Sequence, residues 1–468
     1  MKSRTVVVAG CLALLLLCAG TAAAGTSSVR AGFGEADITP PLQGKPVYLA
    51  GFGRGRTALG VHDPLKARAV VFQDDRGKIA VVSADVVGLF YPDVLKIREK
   101  LPGFTYILVS STHTHSGPDT LGLWGPKSLA SGVDPAYMQF LRAQVVRAVQ
   151  QAEAALEPMT ARIGTARAPE LLHDAREPYI KHDELVALEL RRVGDNVPVG
   201  LIVQWNCHPE TLESKNRLVS ADFIAATVDR LACAHHCPVL YLSGTVGGLM
   251  TSMHVDVKDA HGNTLPPASF EKTERYGELV AELAERALKK TRSLSLQPIE
   301  ARRSEVFLPL DNPLFLMAKS LGVFERPAFV WSGDFRRAAP ATTPSRRTCL
   351  KTEVARVRLG DLDIAAIPGE IYPELVLGKV QDPPDPGADY PTAPPEPAIY
   401  AQLQSPHRMI VGLANDELGY IIPKRQWDEK PPYCYGRKRP QYGEQNSVGP
   451  ETAPILCEAF KQLCADKK

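Results

Sequence analysis

The chain of 468 residues lacks two features that identify large classes of protein. Beyond its first residues, no segment is long and apolar enough to span a bilayer. Nor is there a marked excess of positive charge, since 54 Lys and Arg face 52 Asp and Glu. Binding to a phosphate backbone needs a basic surface, so this balance argues against nucleic acid as the main partner.

Cysteine is too sparse to build a dense disulfide framework. Seven of the nine cysteines follow the first 24 residues, and an odd number leaves at least one unpaired in a monomer. The segment Cys233–Cys237 (CAHHC) lacks the second ligand pair of a zinc knuckle, so we expect a local disulfide or a free thiol there. Cys457 and Cys464 stand two helical turns apart, too far to bridge along one helix.

The N-terminus carries the pattern of a secretory signal peptide. Lys2 and Arg4 precede the apolar run Val6–Ala19, and small residues up to Ala24 supply a cleavage site. We therefore expect this segment to be removed and the protein to be secreted or periplasmic. A lipoprotein anchor through Cys18 is the less favoured alternative, because a bulky leucine precedes that cysteine.

Short apolar runs alternate with longer helical patterns along the rest of the chain. Strands are predicted at Ala67–Phe72, Ile79–Ser83, Tyr106–Ser110, Val199–Trp205, Pro238–Leu242 and Leu362–Ile367. Helices are predicted at Tyr137–Leu156, Phe223–His235 and Glu274–Lys290. This alternation predicts an α/β fold with a mixed β-sheet core flanked by helices.

Two stretches rich in proline interrupt this alternation, at Pro309–Ser345 and Gln381–Pro397. Either would serve as a linker between domains. Because strand-like segments flank both, we favour surface loops within a single domain. That domain is expected to occupy residues 25–468, after the signal peptide at residues 1–24.

The predicted strand Tyr106–Ser110 runs into two histidines in the segment Thr112–Pro118 (THTHSGP). If the extended geometry continues, His113 and His115 project to the same side at the strand's C-terminal end. Ligands bind at that end in open α/β sheets, and neutral imidazole is both a common metal ligand and a general base. A loop with two hydrogen-bonded histidines is the alternative for this motif taken alone.

Two other predicted strands are also followed by a residue that can bind a metal. His208 follows Val199–Trp205, and Glu370 follows Leu362–Ile367. If these strands are neighbours in one sheet, their ends converge. Two histidines with a glutamate form a known catalytic zinc set, so His113, His208 and Glu370 are the predicted ligands of Zn²⁺. Taken singly, His208 as a backbone-bonded histidine and Glu370 as a helix N-terminal carboxylate remain alternatives.

The predicted strand Pro238–Leu242 ends in a glycine-rich turn, Ser243–Gly248 (SGTVGG). Its backbone N–H groups are candidates for stabilising an oxyanion, and a plain tight turn is the alternative. No Gly-Lys-Ser/Thr follows, so the turn is not a phosphate-binding loop.

Several of these segments occur in an order that resembles the catalytic domain of the neutral/alkaline non-lysosomal ceramidases, zinc amidases that cleave the N-acyl bond of ceramide. The segments are Gly32–Pro41 (GFGEADITPP), Ser83–Asp85, Thr112–Pro118, His208, Pro368–Glu370 and Asn415–Tyr420 (NDELGY). The resemblance runs from about Val29 to about Pro450. It implies the catalytic fold of that family without its immunoglobulin-like C-terminal domain.

By this resemblance, His113, His208 and Glu370 would hold zinc. His115 would lie beside the metal as a catalytic group that transfers a proton or orients the substrate. Arg176, in the sequence HDAREP, matches the active-site arginine of the family. Its fork of donors would hold a polar or anionic group of the substrate.

The chain departs from the family pattern at two positions. The family carries an essential serine where Gly247 stands here, and Gly247→Ser is expected to raise ceramide hydrolysis if the turn tolerates a Cβ. Trp427 aligns with the tyrosine that is the family's fourth zinc ligand, and indole is no ligand. Tyr442 is a nearby substitute.

These observations predict an exported zinc-dependent hydrolase that cleaves a ceramide-like N-acyl amide, or a related ester, with metal-activated water. Its substrate would be a lipid of sphingolipid metabolism or another small molecule, and contact with a membrane surface would be peripheral. A catalytically silent relative that binds lipid or glycan is the alternative. A metal site closed by Tyr442 would favour that alternative.

Overall fold

The computed structural model describes residue 1 and residues 29–341 and 348–466, so the predicted signal peptide lies, apart from Met1, outside the described residues. In these ranges the helices are α1 (Tyr91–Glu99), α2 (Pro135–Ala154), α3 (Phe223–His235), α4 (Phe270–Leu288), α5 (Pro313–Ser320), α6 (Pro373–Leu377) and α7 (Thr452–Ala465). The strands are β1 (Arg30–Asp37), β2 (Gly60–Val61), β3 (Lys66–Gln73), β4 (Lys78–Ala84), β5 (Tyr106–Ser111), β6 (Glu157–Arg167), β7 (His173–Asp174), β8 (Glu184–Arg192), β9 (Pro198–Trp205), β10 (Leu218–Val219), β11 (Val239–Ser243), β12 (Met250–Thr251), β13 (Arg292–Leu294), β14 (Ile299–Pro309), β15 (Ala328–Trp331), β16 (Ala338–Ala341), β17 (Thr348–Leu359), β18 (Leu362–Ala366), β19 (Glu370–Ile371), β20 (His407–Val411) and β21 (Tyr420–Ile421). None of the helices in the described ranges combines the length and hydropathy needed to cross a bilayer.

Two sheets contain most of the strands. The first has the order β11-β9-β8-β6-β1-β3-β4-β5, with β13 paired to β6. The second has the order β16-β15-β17-β18-β20, with β14 paired to β17. The pairs β4/β5, β9/β11 and β18/β20 are parallel, whereas pairs such as β1/β3 and β14/β17 are antiparallel. The mixed-sheet α/β prediction is therefore confirmed.

The sheets pack face to face, with helices on both outer sides. Leu108 and Ile202 of the first sheet share an apolar core with Val357 and Ile364 of the second. Helix α2 covers β1 and β3, and the pair α3 and α4 covers the other half of the first sheet. Helix α7 covers β14 and β17 on the outer side of the second sheet. The apolar residues of the strands are thus buried either between the two sheets or beneath the helices that cover them.

All six predicted strands and all three predicted helices form, with bounds that differ by a few residues. The strand β5 is buried along its whole length, as a continuous apolar run predicts. Helix α3 begins after Asp222, whose carboxylate accepts a hydrogen bond from the backbone N–H of Phe223. The cysteines in the described ranges are all free, including Cys233 and Cys237.

Two predictions about the architecture are wrong. The stretch Pro309–Ser345 is not a surface loop, because it contains α5 and the hairpin of β15 and β16. Its apolar residues pack beneath the helix and against β17, and this packing outweighs the local proline and arginine content. The chemistry-bearing strands also do not belong to one sheet, since β18 lies in the second. The stretch Gln381–Pro397 contains no helix or strand, as predicted.

Candidate metal centre

Three histidines converge at the end of the first sheet. One nitrogen each from His113, His115 and His208 lies within 4.8 Å of the others. Their ring centroids are 4.9 to 5.6 Å apart. All three are buried, with exposed fractions of 4%, 8% and 1%. Such convergence of buried imidazoles is typical of a metal site or a catalytic site.

His113 reaches the cluster through a strained turn and not through an extended strand. β5 ends at Ser111, and His113 has a φ of 72°, in the left-handed region that few residues other than glycine adopt. Its backbone N–H donates to the carbonyl of Val86 at 2.9 Å, and its Nδ1 lies 2.6 Å from the carbonyl of Val87. The two histidines therefore share a side for a different reason from the one that the sequence predicts.

His208 is oriented in the same manner. It follows β9 after two residues, and its backbone N–H donates to the carbonyl of Met250 at 2.8 Å. The Nδ1 of its ring lies 3.1 Å from that same carbonyl oxygen. A carbonyl can only accept, so Nδ1 carries the hydrogen in both His113 and His208, and each Nε2 presents a lone pair.

Glu370 completes the centre from the strand that follows the second sheet. β19 pairs with β21, which places the Glu370 Oε2 2.9 Å from Nε2 of His208 and 3.5 Å from Nε2 of His113. Burial alone would raise the pKa of Glu370, but the two imidazoles hold that pKa below its usual range. The structure therefore brings the three predicted ligands together, with a carboxylate that stays ionised.

The segment after β20 joins the two sheets at this point. The backbone N–H of Gly412 donates to Ser243 at the end of β11, and the carbonyl of Gly412 accepts from Oγ of Ser110 in β5, both at 3.0 Å. Asn415 accepts from the backbone N–H of Val109 at 2.9 Å. These contacts link the two outer strands of the first sheet through the second sheet, which explains the convergence of strand ends that are not neighbours.

The sequence analysis missed Glu210, the partner of His115. The carboxylate of Glu210 lies 3.2 Å from Nδ1 of His115, and both side chains are buried. Burial lowers the pKa of His115 to about 4, so the ring is neutral near pH 7. The sequence does contain a feature that could have identified Glu210. It is an acid two residues after His208, in the sequence His-Pro-Glu at the end of the same strand.

Arg176 binds other parts of the fold with both terminal nitrogens of its guanidinium. Its guanidinium forms a two-point ion pair with Glu444 at 2.6 and 2.9 Å and also donates to the carbonyls of Gln426 and Tyr442. Only 2% of the residue is exposed. These contacts indicate a role in holding the segment that carries Tyr442, and a direct contact of Arg176 with substrate stays a prediction.

The turn that lacks the family's serine has no room for a side chain. A Cβ on Gly247 would lie 2.6 Å from both the carbonyl oxygen of Glu370 and the carbonyl carbon of Ile371, and would also meet the ring of Tyr372. The condition for Gly247→Ser to raise ceramide hydrolysis, a turn that tolerates a Cβ, is therefore not met, because the obstacle is backbone. A role of the turn as an oxyanion site stays a prediction.

The two aromatic candidates for a fourth ligand differ in position. Trp427 is buried in the core of the second sheet and donates from its indole N–H to Glu429 at 2.9 Å. Tyr442 is 49% exposed, and its ring lies 5.9 Å from that of Tyr420, which in turn neighbours His208. Burial raises the pKa of Tyr442 to about 12, and the carboxylates at the centre add to the rise.

The donor set fits a divalent cation. The Nε2 atoms of His113 and His208 lie within 3.5 Å of one carboxylate oxygen of Glu370, and the other nitrogen of each imidazole is bonded to a backbone carbonyl. Metal-binding histidines are oriented in this way by their surroundings. A set of imidazoles with one carboxylate suits Zn²⁺. His115 lies near enough to become a further ligand, so its separate role stays a prediction.

The part of the chain that carries the three histidines matches a known protein family. Residues 29–232 match the family model described as neutral/alkaline non-lysosomal ceramidase, N-terminal, and this part of the chain includes all three clustered histidines. A neutral ceramidase of Mycobacterium tuberculosis (strain ATCC 25618 / H37Rv) is 27% identical over 222 residues, which is 41% of this chain. The match spans about a third, 34%, of that relative's length.

Solved structures of ceramidases share the fold. The crystal structure of neutral ceramidase from Pseudomonas aeruginosa superposes with a TM-score of 0.70 at 16% identity, over 94% of this chain and 74% of that one. A ceramidase complexed with C2 gives a TM-score of 0.69 at 16% identity, over 94% and 75% of the two chains. The ceramidase-like α/β fold therefore extends beyond residue 232 and includes Glu370.

Proposed function

We propose that this protein is an exported, zinc-dependent amidohydrolase that cleaves the N-acyl bond of a ceramide-like lipid. The match of residues 29–232 to the ceramidase family model and the likeness to a neutral ceramidase support hydrolysis of ceramide and a lipid substrate. The observation that carries the proposal is the meeting of His113, His208 and Glu370 in a buried centre. Export is inferred from the signal-peptide pattern of the first 24 residues.

The chain's own groups suit hydrolysis at this centre. Held by this set, Zn²⁺ would lower the pKa of a water molecule and polarise the amide carbonyl. Because Nδ1 of His115 lies against Glu210, Nε2 of His115 is the atom left to take a proton from the attacking water and return it to the departing amine. Burial of both groups limits competition from bulk water.

The rim of the centre is aromatic. The ring of Phe52 meets His115 edge-on at 5.1 Å, and the half-exposed Tyr442 lies on the side of His208. Such side chains suit an acyl chain. Gly247 supplies no hydroxyl, so we expect long-chain ceramide to be cleaved less well than a smaller or more polar N-acyl amide or ester.

Metal analysis of the purified protein, paired with release of fatty acid from a series of N-acyl amides and esters, tests the proposal. We expect about one zinc per chain and hydrolysis of at least one amide. His208→Ala should lose both, whereas His261→Ala, which alters an exposed histidine, should keep both. Circular dichroism should show that both variants are folded, and mass spectrometry of the exported protein should place its N-terminus after Ala24.

The alternative is a silent relative that binds lipid or glycan. It is favoured by one feature, the position of Tyr442, whose hydroxyl accepts a hydrogen bond from Asn446 at 2.6 Å and lies within range of the charge of Glu370. Coordination by that hydroxyl would close the site. Bound zinc without hydrolysis of any amide or ester would establish this alternative.

A further inference from the structure

The glycine-rich turn after β11, from Ser243 to Met250, contacts the backbone around both histidine ligands. At its start, Oγ of Ser243 donates to the carbonyl of Thr112, the residue before His113, at 2.8 Å. At its end, the carbonyl of Met250 accepts from the backbone N–H of His208 at 2.8 Å and lies 3.1 Å from Nδ1 of the same residue. The position of the turn therefore affects where both imidazoles lie.

The middle of the same turn packs against the third predicted ligand. A Cβ built on Gly247 would lie 2.6 Å from the carbonyl oxygen of Glu370, so backbone meets backbone at this point. Leu249 follows with a φ of 58°, in the left-handed region that costs free energy for a residue with a side chain. Such backbone persists only where surrounding contacts fix it. The turn must therefore be held in place by other residues.

Asn206 holds the base of the turn. Its Oδ1 accepts from the backbone N–H of Thr245 at 2.9 Å and from Nε2 of Gln204 at 2.7 Å. Its Nδ2 donates to the carbonyls of His182 and Glu184, both at 2.9 Å. An amide side chain has two hydrogens and an oxygen that can accept twice, and Asn206 uses all of them. Because the side chain is also fully buried, these bonds fix its orientation.

A second contact on the turn joins the side chains of Thr245 and His182. Nδ1 of His182 lies 3.1 Å from Oγ1 of Thr245, and the residues are only 4% and 0% exposed. Burial lowers the pKa of His182 to about 3, so its ring is neutral near pH 7. The ring also meets Tyr400 edge-on at 5.6 Å between ring centroids. His182 is thus a neutral hydrogen-bonding group that is held firmly.

These contacts tie together three neighbouring strands. β9 lies between β8 and β11 in the first sheet, antiparallel to β8 and parallel to β11. The start of β8 and the ends of β9 and β11 therefore share one edge. His182 precedes β8, Asn206 follows β9 and Thr245 follows β11. His208 leaves the sheet at this edge, so the contacts also fix the backbone from which it projects.

We propose that Thr245, His182 and Asn206 are positioning residues that hold the glycine-rich turn, and through it the three predicted ligands, in the geometry that binds zinc. The proposal rests on the metal centre of the function proposed above and adds the residues that build it. A purely structural role would lower stability without a particular effect on zinc. Loss of a group that orients a metal ligand instead costs about 10- to 100-fold in metal affinity.

The zinc affinity of the purified full chain, measured by competition with a chelator, tests the proposal. Thr245→Val keeps the shape of the side chain but removes its hydroxyl, and it should weaken zinc binding at least about tenfold. Thr245→Ser keeps the hydroxyl and should bind zinc as the wild-type chain does. Thermal denaturation of each variant should show that it is folded.

Thr227→Val on α3 is the matched control. Thr227 is also fully buried, and its hydroxyl donates to the carbonyls of Phe223 and Gly277 at 3.0 Å. These bonds join α3 to α4, and neither helix carries a predicted ligand. The control also loses buried hydrogen bonds, so its thermal stability should fall, but its zinc affinity should not change.

The other side of the bond gives an independent test. His182→Leu should weaken zinc binding about as much as Thr245→Val, and the double variant should bind no more weakly than either, since all three lack the same bond. His182→Asn keeps a polar group close to the place of Nδ1 and should recover most of the affinity. If Thr245→Val does not fold, the comparison of His182→Leu with His182→Asn decides.

The outcomes separate this proposal from the proposed function. Unchanged zinc affinity in a folded Thr245→Val chain would overturn the positioning role, as would an equal loss in Thr227→Val or additive losses in the double variant. If zinc affinity depends on Thr245 and His182 but no form of the protein cleaves any amide or ester, the positioning role stands and the proposed function fails. A wild-type chain that binds no zinc would overturn both.

Discussion

The two halves of the candidate centre are built differently. In the half that belongs to the first sheet, His113 and His208 follow long buried strands, and backbone carbonyls of Val87 and Met250 set their rings. In the other half a single carboxylate, Glu370, stands on a two-residue strand after β18. The nitrogen donors are thus positioned by backbone carbonyls that lie 26 and 42 residues away in the chain, whereas the oxygen donor depends on how the second sheet packs against the first.

This difference explains which parts of the centre are recognisable. The family match covers residues 29–232, with the three histidines, and ends well before Glu370. A turn that must present two imidazoles constrains several consecutive residues, such as Thr112–Pro118. A single carboxylate ligand requires no particular residues on either side of it in the sequence. Glu370 is therefore recognised as a candidate ligand only through its distances to the histidines.

The largest expected effect comes from replacing Glu370, the carboxylate donor in the half of the centre that follows the second sheet. Glu370→Gln keeps the size of the side chain but removes its charge, so bound zinc should be lost and hydrolysis should fall more than the ~10²-fold that a supporting residue costs. Elemental analysis and kinetics would measure both. A variant that retains full zinc would show that the three histidines alone hold the metal.

The next effect concerns a histidine of the first half. His115→Ala should keep zinc and lower kcat by ~10²–10⁴-fold, the usual contribution of a positioned acid or base. The comparison of zinc content with kcat decides the role of this residue. Loss of zinc would make His115 a ligand, and unchanged zinc and kcat would place proton transfer elsewhere. The first alternative would be Asp85, which directly follows β4 and is bound to Arg68 at 2.8 Å.

A smaller effect is expected for the residue that supports His115. Glu210→Gln should lower kcat about 10- to 100-fold with little change in zinc content, because the contact orients the ring. Glu210→Asp should recover part of the rate if orientation is what matters. An equal loss of zinc and rate in Glu210→Gln would show instead that the carboxylate serves the metal.

The close contact between the two halves can be tested at Gly247. Gly247→Ser should lower the free energy of unfolding by roughly 1–3 kcal/mol, since its Cβ would press on the backbone of Glu370 and Ile371. Thermal denaturation would measure this. Gly53→Ser is the control, because a Cβ there meets nothing within 4 Å. A stable Gly247→Ser protein with raised hydrolysis would contradict the packing described above.

The last expected effect is a pH dependence of the free energy of unfolding, which arises close to Glu370 in the sequence. Burial raises the pKa of Glu374 on α6 to about 8, with Asp174 nearby. The folded state therefore binds this proton more tightly, so the free energy of unfolding should fall as pH rises from about 4.5 to 8, by at most about 1.4 kcal/mol per pH unit. Glu374→Gln should flatten this fall, and the exposed Glu278→Gln should not. Parallel pH profiles for both variants would refute the assignment.

Prediction from the sequence succeeded where the pattern was local. The strands β4, β5, β9 and β11 are buried apolar runs, and α3 was predicted with its observed bounds. Prediction failed for Pro309–Ser345, where α5 forms because Asn312 caps it and the core receives Phe315. The sequence also did not reveal that Arg176 binds Glu444 and two backbone carbonyls, since those partners lie far away in the chain.

The sequence by itself determined which groups this protein has for chemistry: two histidines in a tight turn, a third after a strand, and a glycine in place of a serine. It also determined the buried strands that end beside them, because apolar periodicity depends only on near neighbours. Only the tertiary structure decided that Glu370 meets the histidines, that Glu210 supports His115, and that α5 turns apolar residues outward. These are contacts between residues far apart in the chain, and their geometry follows from how the two sheets pack.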